Sequence, residues 1–163
     1  MNASRLKFLL PLAITLAVPG VHAAQVEVNW NEPESFTDVQ PTNTTRHRFQ
    51  ESVLSDLEAH FRKAGESLPA DQTLVVNVTD VDLAGYVEYF HPGYPFGIRV
   101  VRDIDFPRIS LSYELKGADG VLISTGSDNL RDMDFRFPTF VTRYQQPLDY
   151  EKRMIDRWVR EKF

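Results

Sequence analysis

Three pairs of aspartates, each separated by one residue, are the most regular pattern of reactive side chains in this 163-residue chain. The pairs are Asp80 with Asp82, Asp103 with Asp105, and Asp132 with Asp134. Side chains at positions i and i+2 of a strand point to the same face, so each pair presents two carboxylates to one hard cation such as Ca²⁺. The pairs lack the glycine and glutamate spacing of a calcium-binding loop, and arginines lie nearby in the sequence. We favour strand-end, turn and arginine-paired roles for them, and we predict neither a metal site nor a cofactor.

Paired carboxylates also hydrolyse glycosidic bonds when they lie about 5–9 Å apart across a sugar-sized cleft. The acidic residues considered for that role are Asp38, Asp80, Asp82, Glu88 and Asp132. No spacing along the chain fixes such a distance. A hydrolase with paired carboxylates is therefore an alternative interpretation, and no residue is predicted to be catalytic.

The other residue types that carry catalysis or bind metals are missing or badly spaced. The chain has no cysteine, which excludes disulfides, zinc–cysteine sites, iron–sulfur clusters and thiol nucleophiles. His47 and His60 are too far apart in sequence to form a metal-ligand pair, and His91 stands alone in an aromatic segment. The serines around Gly126 lack the Gly-x-Ser-x-Gly pattern of a serine hydrolase.

The segment from Tyr86 to Phe96 holds five aromatic residues in 11 positions, whereas aromatic residues make up 12% of the whole chain. Prolines and glycines between them disfavour a simple strand. Rings on a rigid loop offer a large contact area at low entropic cost, which suits a sugar, a peptide, another protein or a membrane interface. Alternatively, the rings cover an open sheet face or a helix end, as small domains require. A later aromatic cluster is a candidate to pack against them: Phe135, Phe137, Phe140 and Tyr144.

Composition and charge limit the classes of protein to which this chain can belong. The length predicts one domain, and a hydrophobic content of 42% is typical of a folded globular protein. The formal net charge of −5 argues against nucleic-acid binding, because phosphate contacts require a basic face.

Residues 1–23 have the pattern of a cleavable secretory signal peptide. Arg5 and Lys7 precede an apolar stretch of about 11 residues, which is shorter than the ~20 that a membrane span needs. The residues that follow, up to Ala23, are small or otherwise tolerated by signal peptidase. We predict cleavage after Ala23. Removal of two positive charges takes the formal charge from −5 to −7 for residues 24–163. We predict a periplasmic or secreted protein with no transmembrane segment after cleavage.

Periodicity predicts the elements of a single domain over residues 24–163. Apolar residues alternate in strands and recur every three or four positions in helices. Strands are predicted near 26–30, 73–81, 98–104, 109–116 and 121–126, and helices near 45–64 and 147–162. Gly65 is expected at the C′ position that ends the first helix. These elements predict an α+β two-layer sandwich, with a mostly antiparallel sheet of four to five strands and two helices packed on one face.

The chain resembles DUF3016, a family of exported bacterial proteins, over nearly all of residues 24–163. The resemblance rests on Glu32–Asp38, on the run Asp80-Val81-Asp82-Leu83-Ala84-Gly85, on Pro107-Arg108, Tyr113-Glu114-Leu115 and Leu130-Arg131-Asp132-Met133, and on Tyr150-Glu151-Lys152 before Trp158. It implies an exported α+β domain, and it implies no activity, cofactor or partner.

Together, these patterns favour a non-catalytic binding or interaction protein of the cell envelope. Its predicted ligand-binding residues are Asp80, Asp82, Tyr86, Tyr89, Tyr94, Phe96, Arg108 and Asp132. The expected partner is an envelope protein or a small ligand, and the sequence does not set the oligomeric state. An envelope hydrolase and a cation-stabilised structural protein are the alternatives.

Overall fold

The computed structural model describes residues 24–136 and 147–163, which form two helices and six strands in the described ranges. The elements in chain order are β1 (Gln25–Trp30), α1 (Arg46–Gly65), β2 (Thr73–Asp82), β3 (Tyr86–Glu88), β4 (Ile98–Val100), β5 (Arg108–Lys116), β6 (Leu122–Arg131) and α2 (Asp149–Lys162). A short 3-10 turn, Pro33–Ser35, lies between β1 and α1. The predicted α+β class is confirmed.

Four strands form one mixed sheet in the order β1-β2-β5-β6. β1 runs parallel to β2, because α1 carries the chain back to the end at which β1 began. The other two pairings are antiparallel, as predicted, and β5 joins β6 through a turn in which Gly120 has a φ of 75°. β3 and β4 form a separate two-stranded antiparallel hairpin.

Burial alternates along the central strands, with one break at the bulge between Val78 and Asp80 of β2. In β5 every second residue from Ile109 to Leu115 is buried, while the residues between them are half-buried. The buried face packs against both helices, and the opposite face presents polar side chains such as Ser110, Ser112 and Glu114. The period-two pattern of the sequence therefore identified the correct inner face.

Aromatic rings connect the two helices to the sheet. The ring of Trp158 in α2 packs edge-on against Phe61 of α1 at 6.2 Å and against Tyr113 of β5 at 5.8 Å. The indole N–H of Trp158 donates to Asp128 Oδ2 of β6 at 2.9 Å. One large side chain thus contacts three elements of a core that contains no disulfide.

The first helix begins as predicted but ends for a different reason. Thr45 is the N-cap, since its Oγ1 accepts a hydrogen bond from Arg48 N. Gly65, however, is the last helical residue and not a left-handed C′ residue. A Cβ atom there would overlap Cγ2 of Val26 in β1, so glycine permits close contact between α1 and β1.

Two boundaries differ from the sequence prediction. β6 extends to Arg131, because backbone pairing with β5 continues through a serine-rich stretch whose hydrophobic periodicity is weak. β4 stops at Val100, four residues earlier than expected. Within the part of the chain that the structure describes, neither helix combines the length and apolar composition needed to cross a bilayer.

We expect Gly65→Ala to destabilise the fold by about 1–3 kcal/mol, because the added methyl group overpacks against Val26. Chemical denaturation of the wild type, Gly65→Ala, Val26→Ala and the double variant measures the effect. The double variant should be more stable than the sum of the two single losses predicts, since the smaller side chain leaves room for the methyl group. Strict additivity of the two losses would show that the close contact is not the constraint.

Candidate functional site

The β3–β4 hairpin exposes the aromatic segment. Phe90 is 97% exposed, Phe96 70%, Tyr89 50% and Tyr94 49%. Of the two interpretations of this segment, the structure shows exposed rings and not a cover over the core. We call these four side chains the aromatic tip.

Local hydrogen bonds connect the backbone of the loop that carries the aromatic tip. Tyr94 N donates to His91 O at 3.1 Å, and Gly97 N donates to Tyr94 O at 3.0 Å. His91 also pairs with Glu88 through its ring nitrogen at 2.9 Å, and its ring packs edge-on against Tyr94 at 5.4 Å. These contacts order the backbone of the loop and the rings of His91 and Tyr94 before any partner binds.

Arg99 attaches the hairpin to the rest of the domain. Its guanidinium binds both carboxylate oxygens of Asp38, at 2.9 and 3.2 Å. It also donates to the backbone carbonyl oxygens of Gln40, Ala84 and Gly85, at 3.2–3.3 Å. The planar, forked geometry of arginine suits such a junction, which a lysine ammonium group could not reproduce.

The aromatic tip borders a groove of about 350 Å³. Tyr94 and Phe96 form one wall, and Thr42 and Asn43 of the β1–α1 connection lie on the other. The groove combines apolar surface with hydroxyl and amide groups, and its volume is close to the lower limit for small-ligand sites.

Among the charged residues predicted at the base of the hairpin, three meet on the polar face of the sheet. Arg108 donates to Asp82 Oδ2 at 2.6 Å, and Asp80 accepts hydrogen bonds from the backbone N–H and hydroxyl of Thr37. Burial raises the pKa of Asp82, while Arg108 opposes that effect and the charges of Asp38 and Asp80 add to it. These acids are engaged in structural contacts with neighbouring segments.

Asp132 does not join this group. It is 3% exposed and pairs with Arg157 of α2 at 3.1 Å, so its side chain lies on the helix-covered face of the sheet. Tyr86 is also separate from the tip, since its ring lies 4.3 Å from the guanidinium of Arg102. The predicted site residues therefore lie in four places: the aromatic tip, the Asp80–Asp82–Arg108 group, Tyr86 beside Arg102, and Asp132 paired with Arg157.

The two aspartates of the second pair form ion pairs with different arginines. Asp103 pairs with Arg136, and Asp105 pairs with Arg102. Among the described residues, no group of three or more acidic, histidine or cysteine side chains is arranged to hold a metal ion. Phe135 is buried and packs against Tyr150 at 4.8 Å; the other members of the later aromatic cluster lie outside the described residues.

The carboxylates considered for hydrolysis lie outside the lining of three pockets in the described structure. Pockets of 280–430 Å³ are lined by residues other than Asp38, Asp80, Asp82, Glu88 and Asp132. None of these three pockets therefore offers two acids of this set to a sugar.

A buried acid outside the predicted set lies in a further pocket. Glu151 lies in the first turn of α2 and is only 2% exposed. It lines a cavity of about 280 Å³ between α1, α2 and the β2–β3 connection, which we call the α1–α2 pocket. The apolar lining residues are Phe49, Val53, Leu83, Ala84, Val101, Pro147 and Leu148.

Burial raises the pKa of Glu151 above its ordinary value. The backbone N–H of Ala84, which donates to Glu151 Oε1 at 2.8 Å, and the charge of Arg99 oppose this effect without cancelling it. An acid with a raised pKa in a mainly apolar cavity is typical of functional sites. Its position in the charged run Glu151-Lys152-Arg153 gave no sign of burial.

Comparison with known proteins adds a family but no activity. The model of a family described as "Protein of unknown function (DUF3016)" matches residues 24–161. No curated protein and no solved structure matches the chain at a significant level.

We expect Glu151→Gln to fold and to gain stability relative to the wild type as the pH rises. The raised pKa means that the folded state favours the protonated acid. That contribution is fully present below the unfolded-state pKa of about 4.3–4.5 and is lost as the pH rises through the folded-state value. Glutamine retains the acceptor for Ala84 N–H without the charge.

Melting temperatures of the two proteins across the acidic to neutral range test this expectation. Other groups titrate alike in both, so the difference between the curves isolates Glu151. A variant that loses stability relative to the wild type towards neutral pH would show that the ionised carboxylate stabilises the fold.

Proposed function

The chain belongs to the DUF3016 family, and we propose that it is an exported, non-catalytic binding protein of the cell envelope. The aromatic tip is its contact surface, and the partner is another protein. The observation that carries this proposal is the exposure of Phe90, at 97%, and of Phe96, at 70%, on a loop whose backbone is hydrogen-bonded.

Exposed aromatic side chains are costly unless they serve an interaction. A patch of this kind on a soluble domain is typical of a binding surface. Tyrosine and phenylalanine anchors dominate the energetics of protein interfaces, and they contribute most when they are held rigid before binding. The groove beside Tyr94 and Phe96 adds a recess that fits one large side chain of a partner.

The charges near the tip favour a protein over an anionic membrane surface. Arg99 and Arg102 of the hairpin region pair with Asp38 and Asp105, respectively. Residues 24–163 carry a formal charge of −7, which repels anionic headgroups. Membrane association through the tip would require the rings to overcome that repulsion alone.

We expect the double variant Phe90→Ala/Phe96→Ala to fold normally and to lose partner binding. Both rings are exposed, so the melting temperature should change by less than about 3 °C. Ile104→Ala is the matched control, because Ile104 is apolar and 69% exposed but lies outside the aromatic tip.

The partner can be captured in cells with a photo-crosslinking amino acid at position 90 and, as a control, at position 104. The proposal expects a discrete protein adduct from position 90 only. The isolated partner should then bind the double variant at least about tenfold more weakly than the Ile104→Ala control. Adducts to lipid or cell-wall glycan, equal labelling from both positions, or a melting temperature lowered by many degrees would each contradict the proposal.

Export has its own test. Mass spectrometry of the protein from the periplasm or medium should show a chain that starts at Ala24. Ala23→Tyr should block processing and leave the precursor in the membrane fraction, because the residue before the cut must be small. His22→Tyr is the matched control and should be processed. An intact precursor in the cytoplasm would contradict the export of this protein.

A further inference from the structure

The α1–α2 pocket has the form of a small-molecule site. Its volume of about 280 Å³ is near the lower end of the range for bound ligands. Side chains of Phe49 and Val53 from α1 face Leu83 and Leu148 across it, so most of the surface is apolar. A ligand that fills the pocket would bury its hydrocarbon portion against these walls.

Acidic side chains outnumber basic ones among the described residues that line the α1–α2 pocket. Arg99 is the one cation that lines it in the described structure, and it already pairs with Asp38. Three carboxylates line the pocket: Glu151, buried at one wall, Asp56, exposed on α1, and Asp149 in the first turn of α2, which makes a contact of its own. Within the described residues, the acids that line this mainly apolar cavity therefore outnumber its one guanidinium.

We propose that the α1–α2 pocket binds a small cation with an apolar body, namely a primary amine attached to an aromatic or branched aliphatic group. The apolar walls take up the body, and the ammonium group lies near the carboxylates of Glu151 and Asp56. A charge-assisted hydrogen bond to a desolvated carboxylate is stronger than the same contact in water.

The same geometry predicts which analogues the pocket rejects. A neutral alcohol of equal shape fills the walls but gains no attraction from the excess negative charge. A carboxylate of equal shape meets like charges at Glu151 and Asp56. The expected order of affinity is amine, then alcohol, then carboxylate.

This site is independent of the proposed function. The groove beside the aromatic tip and the α1–α2 pocket share only Arg99, and none of the four tip rings lines the pocket. Loss of partner binding in Phe90→Ala/Phe96→Ala should therefore leave amine binding unchanged.

Calorimetric titration of the processed protein at mildly alkaline pH tests the inference with three probes: 2-phenylethylamine, 2-phenylethanol and 3-phenylpropionate. The amine should bind at least about tenfold more tightly than the alcohol, and the carboxylate should bind most weakly. In Glu151→Gln the preference for the amine over the alcohol should largely disappear, while the affinity for the alcohol remains.

Two further variants make the result specific. Asp56→Asn should lose part of the amine preference, and because Asp56 is exposed this variant folds even if Glu151→Gln does not. Asp71→Asn is the control, since Asp71 is an exposed acid of the α1–β2 connection that does not line the pocket. Absence of amine binding at millimolar concentration, equal affinity for amine and alcohol, or an equal effect of Asp71→Asn would overturn the inference.

Discussion

The guanidinium of Arg99 is the junction on which the functional surfaces of this domain depend. It connects the β1–α1 segment at Asp38 and Gln40 with the β2–β3 segment at Ala84 and Gly85, and it belongs to the hairpin itself. The ion pair with Asp38 is only about one-fifth exposed, so removal of either partner would leave a poorly hydrated charge. Within the described residues the hairpin has no strand pairing to the four-stranded sheet, so side-chain contacts such as this junction and the hydrogen bond from Tyr89 to Gln40 connect it to the domain.

The same cation also faces the interior of the protein. Outward from Arg99 lies the aromatic tip, and inward lies the α1–α2 pocket with Glu151. The tip and the pocket require opposite placements of their side chains relative to the core. The tip needs rings held away from the core, whereas the pocket needs a carboxylate held inside it. The hydrogen bonds of Arg99 fix the backbone of the segments beside it. Exposed rings and a buried carboxylate can therefore lie on opposite sides of this one side chain.

Regular apolar periodicity made most of the fold predictable. Alternation in β5 and the four-residue spacing in α1 correspond to buried faces that the structure confirms, and the sheet with its two helices follows from them. Glu151 and Asp132 were not recognisable as buried acids, because a charged residue in a polar run has the same sequence pattern whether it is solvated or paired. Gly65 was placed correctly at a helix end, but the reason for glycine, the close approach of Val26, depends on a contact between elements distant in sequence. Tertiary contacts of this kind leave no local pattern.

The parallel pairing of β1 with β2 has a consequence for the order in which the chain acquires structure. Asn29 and Asn77 hydrogen-bond across this pair although 48 positions separate them. A chain that emerges from its N-terminus, from a ribosome or through a narrow channel, presents β1 first and its pairing strand only after α1 has followed. During that interval the backbone donors and acceptors of β1 are open to other extended chains. Of the strands in the described residues, the one that appears earliest therefore waits longest for a partner, and any factor that protects the emerging chain acts most usefully on Gln25–Trp30.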